Sequence, residues 1–206
     1  VEIENFTAAK RSSFLVGPNE NSYTAKRQFL SIIQREDTPK FGDIEEAFGV
    51  EKVTKEFFEK YKELFNNVND SLKREIKNKQ SLREEFEKKE ISTVDFSKKL
   101  LGQMVFLYFL QKKGWFGVAT DKEWGSGPKD FLRKLFDARE KYGANFFNDV
   151  LEPLFYEALA QNRGDDAKYP RLNNCRMPFL NGGLFEPMRG YSWKTTATFL
   201  PDDLFS

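Results

Sequence analysis

Apolar residues recur every three or four positions in the second quarter of the chain, and charged residues fill the positions between them. This spacing places one apolar face along an amphipathic α-helix. The face consists of Val53, Phe57, Tyr61, Leu64, Phe65, Val68 and Leu72. The pattern predicts a helix from about residue 54 into the seventies. Residues 73–90 are charged and sparsely apolar, so we expect an exposed helix or helical hairpin there.

Residues 92–114 predict a second strong helix. Ser92 and Asp95 have the spacing of a capping box, with Asp in the place of the usual Glu. Gly114 follows two lysines and suits the position just after a helix end. Because residues 100–110 are apolar nearly all round, we expect this helix to be the central buried helix of the domain.

Shorter helical patterns cover residues 23–36, 43–48, 129–142 and 144–162. Pro128 stands at a natural first helical position, and Pro153 should kink or restart the last of these helices. The last helix should bury Phe146, Phe147, Val150, Leu151, Leu154, Phe155 and Leu159. Periodicity ends near Arg163, and residues 195–200 suit a short strand.

These patterns predict a mainly α protein: an irregular domain of about six helices, with a turn-rich C-terminal tail and little β. We divide the chain into an irregular N-terminal segment (1–22), a helical domain (23–162) and the tail (163–206). The tail should lead to a further domain downstream.

Composition removes several classes of chemistry. The chain has 206 residues, no histidine and a single cysteine, Cys175. Without histidine, a zinc site or a histidine-activated nucleophile is not expected. One cysteine and no apolar run of about 20 residues predict a cytoplasmic protein without a membrane span. The chain starts at Val1 without a signal peptide, which indicates a piece of a longer protein. A net charge of +1 does not by itself predict nucleic-acid binding.

Two glycine-containing stretches are candidates for a phosphate cradle. Residues 125–129, "GSGPK", precede a helix, and their amides could hold an anion or form a capping turn. Residues 181–187, "NGGLFEP", lack the lysine and hydroxyl of a P-loop, and Asn-Gly is a strong turn signal. We therefore predict a structural turn pinned on an apolar surface, with Phe179 and Phe185 as its anchors. The turn residues are Phe179, Asn181, Gly182, Gly183 and Phe185.

No persuasive catalytic set is present. The acids near residues 201–205 lack the lysine of a metal-dependent nuclease site. A cofactor glycine loop after a strand is missing, and so is the Asn-Pro-Pro-aromatic box of amino methyltransferases. We assign no catalytic, cofactor-binding or metal-binding residue.

Four phrases together carry a family resemblance. They are "EAFGVEKVTKEFFEKYKELF", "DFSKKLLGQMVFLYFLQKKGWFGV", "NFFNDVLEPLFYEAL" and "MPFLNGGLFEP". In this order they resemble the large bacterial restriction–modification enzymes of Type IIG and related adenine-specific DNA methyltransferases. The resemblance spans roughly residues 23–206. It implies the helical region between an N-terminal nuclease domain and a methyltransferase domain.

The resemblance also implies what the parent protein does. The parent would methylate adenine in double-stranded DNA with S-adenosylmethionine, and DNA cleavage with Mg²⁺ is a further possibility. Its cofactor loop would follow residue 206 and its nuclease acids would precede residue 1, so no functional residue of the family falls in this chain. The adjacent methyltransferase and nuclease domains would be its partners.

Three interpretations of the chain itself remain open. It could be a DNA-facing spacer with phosphate contacts from Lys112, Lys113, Lys129, Arg133 and Lys134. Trp115 and Trp124 could stack on a base, although burial in the core is the favoured prediction for both. Alternatively, the chain is an interaction scaffold that docks neighbouring domains without touching DNA. A free-standing enzyme is disfavoured by the missing motifs.

Overall fold

The computed structural model describes residues 12–18, 22–164, 167–180 and 182–206, without the side chains of residues 50–54. Helix accounts for 57% and strand for 3%, so the predicted mainly α fold with little β is confirmed. The described residues up to Tyr61 form one compact unit, and Lys62–Ser206 form another. This division by compactness differs from our division by sequence pattern at residues 22 and 162.

The smaller unit contains α1 (Tyr23–Ile33), α2 (Phe41–Ala47) and the start of α3 (Val50–Asn78). Three phenylalanine rings meet here, with centroids 5.8 Å apart for Phe14 and Phe29 and 5.1 Å apart for Phe14 and Phe48. Phe14 lies in the segment for which the sequence showed no period. Its partners explain why that segment joins this unit, because aromatic pairs at such distances are stabilising.

In the larger unit, α3 ends at Asn78 and α4 (Gln80–Lys88) follows after a single extended residue, Lys79. The expectation of an exposed helix or hairpin over residues 73–90 is wrong for α4, since Leu82 and Phe86 are buried. Two apolar residues four positions apart on a nine-residue helix are enough to define a buried face.

Helix α5 (Thr93–Lys112) begins and ends as predicted. The Ser92 hydroxyl accepts a hydrogen bond from the Asp95 amide at 3.0 Å, and Gly114 adopts a left-handed φ of 71°. Its burial differs from the prediction. Eight of its residues are buried, among them Phe96 and four leucines (Leu100, Leu101, Leu107 and Leu110), but the large apolar side chains Val105, Phe106, Tyr108 and Phe109 are exposed. Helix α5 is therefore a surface helix with one apolar face towards solvent.

The most enclosed helix is the one that follows α6 (Phe131–Asp137) and a 3₁₀ turn at Arg139–Lys141. Residues 146–159 form a continuous helix whose stretches Phe147–Leu151 and Leu154–Leu159 are π-helical. We call it the π segment. All seven of the apolar residues expected inside are buried. Pro153 lies at the junction of the two stretches. Because proline has no N–H, it interrupts the regular series of helical hydrogen bonds at this point.

The tail contains a two-residue hairpin ladder, β1 (Lys168–Tyr169) antiparallel to β2 (Cys175–Arg176), and 3₁₀ turns at Pro170–Leu172, Met188–Gly190 and Asp202–Phe205. The strand suggested for residues 195–200 is absent, since those residues have no ladder partner among the described residues. Side chains of the helices hold this stretch instead. Lys79 Nζ donates to the Ala197 carbonyl at 2.7 Å, and Asn145 Nδ2 donates to the Leu200 carbonyl at 2.7 Å.

Candidate nucleic-acid interface

The C-terminal end of α5 organises the loop that carries the candidate DNA contacts. The Gly114 carbonyl accepts hydrogen bonds from the amides of Gly125 at 3.1 Å and Gly127 at 2.9 Å. A side chain at Gly127 would lie 2.1 Å from the Phe116 carbonyl oxygen, so only glycine fits there. These two hydrogen bonds join the beginning and the end of the loop at residues 114–127, next to Lys112 and Lys113.

This closure decides the role of "GSGPK". The amides of Gly125 and Gly127 are already used by Gly114, and Pro128 has no amide proton to offer. The Gln111 side chain reaches across from α5 and accepts from the Leu132 amide at 3.0 Å, which satisfies a free donor in the first turn of α6. The geometry favours the capping turn over the anion site.

Lys129 folds back against the end of α5. Its ammonium donates to the Gly125 carbonyl at 3.1 Å, and a Cβ built on Gly114 would lie 2.5 Å from Lys129 Nζ. Lys129 therefore lies beside the backbone that links Lys113 to Trp115. We call Lys112, Lys113, Trp115, Trp124 and Lys129 the Lys–Trp cluster.

The expectation that Trp115 and Trp124 fill the core is wrong, because their side chains are 41% and 40% exposed. Trp124 has a cation on one side: the Arg176 guanidinium carbon lies 4.4 Å from the centroid of its ring. This distance is well within the range of a cation–π contact. Both tryptophans therefore keep exposed side-chain surface that a ligand could contact.

The other two basic candidates have acidic partners on their own helix turn. Arg133 forms an ion pair with Asp137 at 3.0 Å, and Lys134 forms one with Asp130 at 3.0 Å. The hydrogen bond from Lys134 lowers the pKa of the Asp130 carboxyl below its ordinary value. In contrast, Lys112, Lys113 and Lys129 form no ion pair within the part of the chain that the structure describes. These three lysines are therefore the candidates without an ion pair among the described residues, although the charge of Lys112 also acts on the Asp130 carboxyl.

The turn at residues 178–187 lies against α5. Lys99 Nζ donates to the carbonyls of Gly183 at 2.8 Å and Glu186 at 2.6 Å, and Gln103 Nε2 donates to the Leu184 carbonyl at 2.8 Å. Burial lowers the pKa of Lys99, while the neighbouring Glu186 acts in the opposite direction. Two helix side chains thus satisfy the carbonyls of the turn.

The anchoring of this turn is unequal. Phe185 is 2% exposed, with its ring centroid 6.0 Å from Phe106 and 5.9 Å from Phe155, whereas Phe179 is 40% exposed. We therefore assign the anchor to Phe185 rather than to both rings. A side chain at Gly182 or Gly183 would meet open space, so neither glycine is required by crowding. The predicted turn residue Asn181 lies outside the described residues.

The side chains of the described residues neither form a metal-ligating cluster nor include an activated thiol. They contain no group of three or more potential metal-ligating side chains. Burial raises the pKa of the Cys175 thiol to about 11, which makes it a poor nucleophile at neutral pH. Among the described helices, none combines the length and apolar character that a membrane span requires.

Sequence reasoning missed Arg176, which lies on β2, far along the chain from the Trp124 that it covers. No local pattern connects them. The Arg176 guanidinium contacts the Trp124 indole only when the β-bridge between Val118 and Arg176 brings the two segments together. The lysines, by contrast, follow one another around a helix end and a capped loop, so their nearness is visible in the sequence, while their contact with DNA stays a prediction.

Comparisons with protein-family models, with curated proteins and with solved structures each found no match. The function is therefore argued from the surface of the chain and from its sequence.

Proposed function

We propose that this chain is the DNA-facing helical module of a bacterial restriction–modification adenine methyltransferase. The observation that carries the proposal is the Lys–Trp cluster. Its three lysines, which have no ion pair among the described residues, share one loop closure with two exposed indoles. Lysines contact phosphates without reading sequence, so the module would add affinity and orientation. The four resembling segments support the choice of parent, which would supply the S-adenosylmethionine site and the recognition of the DNA sequence.

The test is fluorescence-polarisation binding of a short labelled duplex at several salt concentrations between about 50 and 200 mM. We expect a dissociation constant that weakens steeply with salt. Charge reversal of Lys112, Lys113 and Lys129 to Glu should lower the slope of log Kd against log salt by about 1 for each phosphate that the variant no longer binds. Replacing Arg133 and Lys134 should have a smaller effect, since each already pairs with an aspartate.

A matched control removes the effect of net charge. Lys62, Lys77 and Lys88 are exposed on α3 and α4, and reversing all three changes the charge of the chain by the same amount. This control should bind duplex DNA almost as the unaltered chain does. Equal reductions in affinity in both triple variants would show that binding depends on total charge rather than on this surface.

A second candidate is the non-catalytic interaction scaffold that does not touch DNA. The observation that favours it is the exposed apolar face of α5, with Val105, Phe106, Tyr108 and Phe109 towards solvent. Contiguous exposed apolar patches commonly mark surfaces for other domains. If the chain binds no DNA, duplex or single-stranded, even at low salt, the scaffold becomes the better proposal, and the Lys–Trp cluster loses its assigned role.

A further inference from the structure

Trp124 lies against a cation that is itself hydrogen-bonded to the surrounding backbone. Arg176, which covers one side of the indole, is fixed along its backbone by two hydrogen bonds with Val118, at 2.8 and 3.3 Å. Its guanidinium Nη1 also donates to the Lys122 carbonyl at 2.8 Å, two residues before the indole. Hydrogen bonds therefore fix both the backbone and the guanidinium of Arg176. The Trp124 indole contacts this cation on one side, and 40% of the Trp124 side chain is exposed.

The second exposed indole, Trp115, lies at the other end of the same loop. Trp115 directly follows Gly114 and Trp124 directly precedes Gly125, and the Gly125 amide bonds to the Gly114 carbonyl at 3.1 Å. This backbone hydrogen bond therefore brings the segments that carry the two tryptophans together. Lys129 Nζ lies at this closure, and Lys113 directly precedes Gly114 with its ammonium 5.7 Å from the Phe109 ring centroid on α5. One cation is therefore at the closure and a second is on the adjoining turn of α5.

From this geometry we infer that the Lys–Trp cluster binds unpaired nucleotides, with Trp124 as a stacking platform for a base. The inference rests on the proposed function, because it specifies which form of DNA this surface prefers. In a duplex, base faces are hidden by their neighbours, and sequence readers contact base edges in the grooves. A single strand exposes the flat faces that stack on aromatic rings, while lysines contact its phosphates.

The local charges also favour a single strand over a duplex. Asp121 and Glu123 are exposed beside Trp124, which places negative charge next to the platform. A duplex presents two charged backbones to such a surface, whereas a single strand can pass its one backbone along Lys113 and Lys129. Stacking then supplies affinity that does not depend on charge.

The experiment compares a labelled oligothymidine with a labelled duplex of equal length in the same polarisation assay. We expect the single strand to bind the full chain more tightly. Trp124→Ala should weaken single-strand binding by roughly tenfold, and the duplex should change by less than about twofold. Trp124→Phe retains a smaller aromatic ring. Its affinity for the single strand should therefore lie between those of the unaltered chain and Trp124→Ala. Trp193→Phe is the matched control, since Trp193 is partly buried against Tyr156 with ring centroids 5.8 Å apart.

Circular dichroism of each variant distinguishes impaired stacking from impaired folding, and Trp124→Phe provides a folded comparison if the alanine variant unfolds. Equal binding of both DNA forms, with no effect of Trp124→Phe or Trp124→Ala, would overturn the inference and leave the proposed function standing. Failure to bind either form would overturn the proposed function itself.

Discussion

Glu152 carries an ionisable carboxyl group at a fully buried position. It lies within the π segment, has no exposed surface, and neither of its carboxyl oxygens has a hydrogen-bond partner among the described residues. Burial raises the pKa of Glu152 well above its ordinary value of about 4.5, and the nearby Asp149 acts in the same direction. The Tyr191 hydroxyl and Lys79 act in the opposite direction without offsetting the effect of burial. Burial therefore favours the protonated carboxyl group in the folded chain at pH values where the unfolded chain already ionises it.

The pH dependence of stability follows from this shift. Above about pH 4.5 the unfolded chain releases the Glu152 proton and the folded chain retains it. The free energy of unfolding should therefore fall as pH rises, by up to about 1.4 kcal/mol per pH unit until the folded pKa is reached. Glu152→Gln removes this pH dependence, so its stability advantage over the unaltered chain should grow with pH.

Urea denaturation between about pH 4.5 and 8 measures this difference. Glu63→Gln serves as the control, because Glu63 is exposed on α3 and its replacement should shift the profile little. Parallel pH profiles for Glu152→Gln and the unaltered chain would contradict a protonated, buried Glu152.

At this scale the sequence identified apolar residues better than polar ones. The inward positions of the π segment were correct because seven large apolar side chains define its face. Glu152 could not be found in the same way. A charged residue in a helical period is normally solvated, and only the enclosure of this segment on nearly all sides buries it.

At the scale of elements, local signals predicted where helices begin and end, but not which faces are covered. The start and stop of α5 depend on Ser92 and Gly114, which act through their own neighbours. The exposed face of α5 depends on what the rest of the fold places over it, and residues 105–109 look the same in sequence whether buried or exposed. The packing of the turn on α5 likewise joins residues more than 80 positions apart.

The turn supplies the prediction at this scale. Phe185→Ala should destabilise the chain by about 3–5 kcal/mol, because it leaves a cavity between α5 and the π segment. Phe179→Ala should cost less than about 0.5 kcal/mol, since most surface substitutions have small effects. Thermal unfolding gives the two values, and limited proteolysis shows whether residues 163–206 loosen. Equal effects of the two substitutions would contradict the assignment of the anchor to Phe185.

At the scale of the whole molecule, the apolar core is concentrated in one unit. Among the described residues, the buried apolar side chains run from Val68 to Leu200, apart from Ala47 in the smaller unit. The turn-rich tail belongs to this core, since Tyr191 packs its ring against Phe96 with centroids 5.6 Å apart. That the tail also leads to a further domain downstream stays a prediction. Turns without periodicity give no sign in the sequence of which core residues they cover.

This distribution predicts how the chain responds to truncation. A chain that begins at residue 50, the start of α3, keeps every described buried apolar side chain except Ala47. It should unfold cooperatively, with a midpoint within a few degrees of the full chain, roughly the shift that 1 kcal/mol or less produces. The complementary piece, residues 1–49, should not fold alone, because so short a chain cannot bury enough apolar surface. Circular dichroism melts of both pieces test this. Absence of a cooperative transition in the longer piece would show that its core depends on the first 49 residues. DNA binding is a separate measurement on the same piece. If the longer piece still binds DNA, the proposed interface lies within it.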